Sequence, residues 1–218
     1  MKNKNLVVIS LLVLITLFVG GSYAFKSSQE KKVQAVTSSI DYKKEPFIRD
    51  YSPSFGDNEK EIYVVEYIDP ECESCALFNN IVKDFYRQYY KDIKLVIRYL
   101  ANHKNSAYAI SILEAAREQN KYLEVLDLIY TKQPLWAQHN NEKPELLMEF
   151  LKEINGLNMQ KLKADMENPD IKRRINLDLV DAQMLQVRGT PTIFINGKRL
   201  STLSADALEN LYISEAYK

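Results

Sequence analysis

Residues 61–99 predict a strand, a helix and a second strand in direct succession, and this unit constrains the fold more than any other feature. The first strand, at 62–68, is rich in β-branched and aromatic residues and is apolar on both faces, as in a strand buried on both sides. Apolar residues at helical spacing then predict a helix from about Cys72 to about Tyr90. The second strand lies at 94–99. Strands joined by a helix in this way are parallel, so the sequence predicts an α/β domain.

The rest of the chain extends this unit with a helical block and a closing hairpin. Residues from about 105 to 186 carry apolar stripes at helical spacing throughout. A strand at 192–195, a tight turn at Asn196-Gly197 and a short partner strand at 198–200 follow. Ser204 is placed to cap a final helix. The predicted order is therefore β-α-β, a helical block, then β-β-α.

The N-terminus predicts export from the cytoplasm. Two lysines precede an apolar run at 6–19, and small residues around Ala24 fit a cleavage site, as in a signal peptide. No charge follows the lysines until Lys26, so the segment is also long enough for an uncleaved anchor. We therefore expect residues 1–24 to be a signal peptide or a membrane anchor, with 5–25 as a membrane tether in the second case. Either route leaves the rest of the chain outside the cytoplasm, where disulfides persist.

Composition limits the remaining possibilities. Residues 25–45 are polar and lack periodic apolar positions, which predicts a polar linker before a single domain at 46–218. The 29 basic residues balance 29 acidic ones, so the chain lacks the basic excess of a nucleic-acid-binding surface. We expect no nucleic-acid partner.

The two cysteines of the chain, Cys72 and Cys75, carry the main chemical signal. Unpaired N–H groups at the start of a helix stabilise a thiolate on the first cysteine, and the thiolate is the reactive form. The second lies one turn further along, close enough to form a disulfide. A zinc site would need two more ligands, for which only the separate His103 and His139 offer nitrogen donors. A structural disulfide closing so short a loop stabilises a fold little, so the pattern favours a redox pair.

Two further features fit redox chemistry. Glu66 lies in the first strand, six residues before Cys72, where a buried carboxyl with a raised pKa exchanges a proton with the second thiol. Thr190 and Pro191 stand at the entrance of the strand at 192–195. A cis bond between them would leave a backbone edge for an extended substrate, although taken alone this sequence favours a simple turn before a strand.

Acidic residues around the first cysteine predict a counteracting effect. Asp69, Glu71 and Glu73 flank Cys72, and like charge raises the pKa of a thiol. We therefore expect a milder oxidant than proteins with Pro-His between the two cysteines. His103 is expected to be structural.

Taken together, the segment 66–75, the Gly-Thr-Pro-Thr strand entry at 189–192 and the Asn-Gly hairpin resemble the DsbA-like branch of the thioredoxin superfamily, over about residues 46–216. The resemblance implies a thioredoxin fold with an inserted helical subdomain at about 104–168, preceded by the N-terminal signal or anchor helix. It implies no cofactor and no metal.

The same resemblance assigns roles to the site residues. Cys72 would be the nucleophile, Cys75 the resolving thiol, Glu66 the buried proton acceptor, and Thr190 and Pro191 the substrate-binding loop.

The predicted function is an exported thiol:disulfide oxidoreductase. It would exchange disulfides with protein thiols in the periplasm or at the cell exterior, secreted or anchored to the cytoplasmic membrane, with a membrane partner to reoxidise it. A reductase or isomerase remains an alternative within the class. A metal-binding or chaperone-like module on the same scaffold is the alternative from another class.

Overall fold

The computed structural model describes residues 2–218, without the side chains of residues 2–6 and 38. Its helices are α1 (Lys2–Ser38), α2 (Glu73–Tyr89), α3 (Ser106–Arg117), α4 (Tyr122–Thr131), α5 (Gln133–Trp136), α6 (Leu146–Phe150), α7 (Met159–Met166), α8 (Pro169–Met184) and α9 (Ala205–Ala216), with a 3-10 turn at Leu151–Glu153. Its strands are β1 (Ser54–Phe55), β2 (Ile62–Ile68), β3 (Ile93–Tyr99), β4 (Thr192–Ile195) and β5 (Lys198–Arg199).

The five strands form one mixed sheet in the order β1-β3-β2-β4-β5. Strands β2 and β3 are parallel, with Ile62 opposite Ile93, and β4 runs antiparallel to β2. The predicted α/β fold is confirmed, with the strand–helix–strand unit at its centre. The sequence missed β1, because two residues are too short for a periodic pattern.

The sheet separates two apolar layers. Because side chains alternate across a strand, Val64 and Ile68 of β2 face the layer that contains Cys75 and helices α2, α3 and α4. Val65 and Tyr67 face the opposite layer, with α8. Six helices, α3 to α8, lie between β3 and β4, where the sequence predicts the helical block. This block is interrupted by turns rather than helical throughout.

Helix α1 differs from the expectation of a polar linker at 25–45, because the apolar run and the polar segment form one helix as far as Ser38. Its C-terminal part is held against β5: the Gln34 side-chain oxygen accepts a hydrogen bond from the Arg199 N–H at 3.2 Å, and Thr37 is fully buried. In the described part of the chain, α1 is the one helix long and apolar enough to cross a membrane, with a mean hydropathy of 2.3 in its apolar window.

A buried ion cluster joins α8 to the sheet. The guanidinium of Arg98, fully buried in β3, donates to Asp178 at 2.7 Å and to Asp181 at 2.5 Å, both on α8. Asp178 also accepts from the Tyr99 N–H at 2.9 Å. Since the chain passes from the end of α8 to β4 within eight residues, this cluster positions the loop at residues 185–191.

Candidate active site

Cys72 occupies the N-cap position of α2, where its extended backbone precedes the first helical turn. Its sulfur is partly buried and lies 3.4 Å from the Thr190 carbonyl oxygen, to which Cys72 donates when its thiol is protonated. A hydrogen bond from the Cys75 thiol lowers the pKa of Cys72 most strongly, and burial opposes it. Further hydrogen bonds from Thr190 and from the N–H groups of Cys75 and Ser74 bring the pKa to about 5. Cys72 is therefore a thiolate at neutral pH.

Cys75, one turn into α2, differs sharply from Cys72. Its side chain is only 2% exposed. Burial raises its pKa well above the ordinary thiol range, and the neighbouring Cys72 sulfur raises it further. The two cysteines are free thiols in this structure, so it represents the reduced state. One partly exposed thiolate beside one buried, protonated thiol is the arrangement that disulfide exchange needs.

Glu66 lies at the centre of β2, between Ile97 of β3 and Ile193 of β4. Alternation along β2 places its carboxyl on the face that also holds Cys75. Burial alone raises the pKa of Glu66 to about 8. A carboxyl with this pKa both accepts and releases a proton near neutral pH.

The loop before β4 brings Thr190 and Pro191 to Cys72, as the sequence predicts. The Thr190–Pro191 bond is cis, and Pro191 is buried. The Thr192 hydroxyl donates to the Gly189 carbonyl at 2.8 Å, which fixes the turn. The five predicted site residues thus fall into two groups: Cys72, Cys75, Thr190 and Pro191 meet at the start of α2, and Glu66 lies behind them in the sheet.

Each of the three acidic residues near Cys72 has a hydrogen-bond or ion-pair partner. Asp69 is fully buried and accepts hydrogen bonds from the N–H groups of Glu71 and Asn102 and from the ring of His103. The Glu71 carboxylate accepts two hydrogen bonds from Asn105, at the start of α3. The pKa of Cys72 is lowered overall, so the hydrogen bonds to its sulfur outweigh any opposing effect of these charges.

Glu73, the third of these acids, forms an ion pair with His139 at 2.8 Å. That partner lies more than sixty residues away in sequence, beyond the reach of any local pattern.

His103 has a larger electrostatic role than the sequence analysis gave it. Its Nδ1 lies 2.8 Å from the Asp69 carboxylate. Burial lowers the pKa of His103, but this hydrogen bond and the charges of Asp69, Cys72 and Glu71 outweigh it and leave the pKa raised. A protonated His103 favours the thiolate of Cys72 in return.

Tyr130 is a second residue that the sequence analysis did not single out. Its hydroxyl is buried and has no hydrogen-bond partner among the described residues. It interacts electrostatically with both Cys75 and Glu66, so it belongs to the same buried polar region. Tyr130 lies in α4, and the apolar helical spacing of that segment predicts packing but does not indicate a polar role for this side chain.

No group of three or more His, Cys, Asp or Glu side chains in the described residues is arranged to hold a metal ion. The zinc alternative thus finds no donor set in this part of the chain.

Comparison with known proteins relates this site to others. The sequence model of the family described as Thioredoxin matches residues 49–212. The chain is 27% identical to the probable disulfide bond formation protein D of Bacillus cereus, over 90% of this chain and 91% of that protein. It is 31% identical to a Na(+)/H(+) antiporter NhaA of Herminiimonas arsenicoxydans over 66% of this chain. That alignment spans only 22% of the antiporter.

The fold has close counterparts among solved structures. Oxidised BdbD from Bacillus subtilis superposes with a TM-score of 0.68 at 22% identity, covering 77% of this chain and 94% of that one. The thiol-disulfide exchange protein alpha-DsbA2 from Wolbachia pipientis gives a TM-score of 0.69 at 18% identity, over 86% of this chain and 97% of that one. Because the family match covers most of the chain, this chain belongs to the thioredoxin family, and it shares its fold with these DsbA-like structures.

Proposed function

We propose that the protein is a protein thiol:disulfide oxidoreductase that acts outside the cytoplasm through Cys72 and Cys75. The observation that carries the proposal is the difference between the two thiols. Cys72 is partly exposed with a pKa of about 5, whereas Cys75 is buried with a pKa raised well above the ordinary range. The name of the Bacillus cereus relative, a disulfide bond formation protein, supports the same chemistry.

In the oxidising direction, a substrate thiolate attacks the Cys72 sulfur of a Cys72–Cys75 disulfide. The intramolecular S–S bond breaks as the mixed disulfide forms, and Cys75 leaves with the electron pair and takes a proton. Glu66 is the proposed donor of that proton, because its pKa of about 8 keeps it protonated at neutral pH. A second substrate thiolate then attacks the substrate sulfur of the mixed disulfide and releases Cys72 as a thiolate. The substrate loses two electrons and the cysteine pair gains them.

The low pKa of Cys72 favours this oxidising direction. A stable thiolate is a good leaving group and stabilises the reduced form of the pair, which makes the disulfide a stronger oxidant. Continued turnover then requires an external disulfide or quinone oxidant to restore the Cys72–Cys75 bond. A membrane redox partner is our proposed source of that oxidant.

Thr190 and Pro191 are the proposed substrate contacts. They lie beside Cys72, with the Thr190 carbonyl oxygen 3.4 Å from its sulfur. An extended substrate that pairs with the backbone of this loop would bring its own cysteine to Cys72.

We also propose that α1 anchors the protein to the membrane instead of being removed. The helix continues without a break past Ala24, and its polar part packs on β5. Both observations favour a retained segment, which would keep the site close to a membrane partner.

Replacement of the resolving cysteine tests the reaction. In a Cys75→Ala variant, the mixed disulfide at Cys72 has no internal thiol to resolve it, so substrate proteins should accumulate as covalent adducts that a reductant releases. Non-reducing electrophoresis followed by mass spectrometry measures these adducts.

The matched control is Cys72→Ala, which leaves the buried Cys75 as the single thiol of the pair. This variant should trap no adducts. Equal trapping by the two variants, or none by either, would refute the assignment of Cys72 as the nucleophile.

A further inference from the structure

A cavity of about 590 Å³ lies beside the Thr190–Pro191 loop. The polar part of α1 forms one wall, and the other includes Arg188, Pro191, Thr192 and Arg199. We call this cavity the α1 groove. Its volume is within the range of ligand-binding pockets. Pro191 lines the groove and the preceding residue, Thr190, contacts Cys72, so the groove lies beside the loop that carries the reactive sulfur's contact.

The charges around the groove are mostly positive. Lys26 and Lys31 of α1 and Arg188 and Arg199 opposite them line it, against one acidic residue, Glu30. None of these four cations forms an ion pair with a carboxylate within the described residues. Most of the other basic side chains that the structure describes form an ion pair with a carboxylate. The four cations of the groove therefore differ from the rest of the surface.

The guanidinium of Arg199 is a partly buried positive charge without a carboxylate partner within the described residues. It donates only to neutral oxygens, the Gln186 carbonyl at 3.2 Å and the Thr192 hydroxyl at 3.4 Å. Burial lowers the pKa of Arg199, the nearby charge of Arg188 lowers it further, and the more distant Glu30 only partly compensates. A carboxylate entering the groove would supply the missing counter-charge.

We infer that the α1 groove binds an extended segment of the substrate protein with carboxylate side chains near its reactive cysteine. The inference rests on the proposed function and names its substrate class: thiol proteins with acidic residues flanking the cysteine. A peptide that pairs with the loop at Thr190 runs directly past Pro191 into the groove. Arg188 and Arg199 then meet its carboxylates.

The test uses the full chain in detergent, oxidised with oxidised glutathione, and two dithiol peptides of equal length. One peptide carries Asp and Glu beside its cysteines and the other carries Asn and Gln. The acidic peptide should be oxidised about tenfold faster at low salt, and the advantage should shrink as ionic strength rises. Equal rates for the two peptides would overturn the inference.

Substitutions locate the effect. Arg188→Gln and Arg199→Gln should each reduce the ratio of the acidic-peptide rate to the neutral-peptide rate several-fold. Arg188 is exposed, so its variant tests the groove even where loss of the Arg199 hydrogen bonds affects folding. The matched control is Arg173→Gln on the outer face of α8, which should leave the preference intact.

Two additional measurements separate the possible failures. Oxidation of dithiothreitol, a small neutral dithiol, reports the cysteine chemistry alone. If it proceeds while the peptides are indistinguishable, the groove inference fails and the proposed function stands. If dithiothreitol is not oxidised, the proposed function itself fails. Binding to anionic lipid vesicles is measured as well. If Arg188→Gln weakens this binding but leaves the peptide preference unchanged, the groove contacts lipid and the inference is overturned.

Discussion

At the scale of single residues, the reactivity of the site comes from the unequal environments of two identical side chains. The hydrogen bond from Cys75 is the largest influence that lowers the pKa of Cys72, and burial raises the pKa of Cys75. The Cys75 thiol therefore favours the thiolate form of Cys72, and the Cys72 sulfur favours the protonated form of Cys75. Opening the disulfide places negative charge at the exposed sulfur and the proton at the buried one.

The pKa of Cys72 sets how the stability of the reduced protein depends on pH. Because the pKa of this thiol is lowered from about 9 to about 5, the folded reduced protein gains stability relative to its unfolded chain as pH rises between these values. That stabilisation is complete above pH 9 and is lost as pH falls through 5. The disulfide form lacks both thiols, and the raised pKa of Cys75 matters only above about pH 9, so below that pH the difference in unfolding free energy between the two forms should follow the Cys72 curve.

Titration of the thiolate by its ultraviolet absorbance measures this pKa directly, and we expect a midpoint near pH 5. The Cys75→Ala variant removes the strongest favourable hydrogen bond, so its midpoint should move upward. A wild-type midpoint near that of a free thiol, about 8.5, would contradict the geometry of the site.

Glu66 should show opposite effects on stability and on rate. Its folded-state pKa of about 8 lies above the ordinary value of 4.5, so the carboxyl contributes fully below pH 4.5 and destabilises the fold progressively as pH rises to 8. We therefore expect Glu66→Gln to raise the free energy of unfolding by about 3 kcal/mol at pH 7. At pH 4.5 the variant and the wild type should be equally stable.

The same variant should oxidise dithiol substrates about 10- to 100-fold more slowly, because an amide cannot deliver the proton to Cys75. Urea unfolding at the two pH values and stopped-flow oxidation provide the two readouts. A variant that keeps the full rate would remove Glu66 from the proposed reaction, whatever its stability.

At the scale of secondary-structure elements, the sequence predicted what local periodicity encodes. The alternation in β2, the helical spacing of α2 and the Asn-Gly turn are confirmed at or within one residue of the predicted positions. The active-site cysteines could be recognised because their function depends on a strand end and a helix start, which are local features.

Long-range partners could not be predicted in the same way. The Arg98–Asp178 contact joins residues 80 apart, and Asp69 meets His103 across 34 residues. Nothing in the local sequence of Asp69, Glu71 or Glu73 shows that each has a partner. The helical extent of α1 was missed because its polar part carries no amphipathic stripe.

The Arg98 cluster should be essential for the position of α8. Asp178→Asn would leave the buried guanidinium of Arg98 without one of its two carboxylates, at a cost of about 3–5 kcal/mol in the free energy of unfolding. The matched control is Asp170→Asn on the same helix, whose carboxylate pairs with Arg173 in solvent and should cost less than about 1 kcal/mol. Denaturant unfolding compares them, and equal costs would contradict the role of burial.

At the scale of the whole molecule, the proposal that α1 is a retained anchor can be tested directly. If α1 is a retained anchor, the full chain should stay with membranes after alkaline carbonate extraction, and N-terminal sequencing should give Met1 or Lys2. The reason is that the helix carries one uninterrupted apolar segment long enough to span a bilayer. A mature protein that begins at Phe25 and extracts freely would show that the segment is a cleaved signal.

The unbroken helix also has a geometric consequence. With a rise of 1.5 Å per residue, the nine steps from Phe25 to Gln34 cover roughly 14 Å before the helix contacts β5. If α1 is a membrane anchor, a rigid helical segment of that length would hold the Cys72 sulfur at a nearly fixed distance from the membrane surface. The sulfur would then move mainly parallel to that surface. Unfolded chains that emerge from the bilayer would pass through the layer that contains Cys72 before they fold, while their cysteines are still accessible.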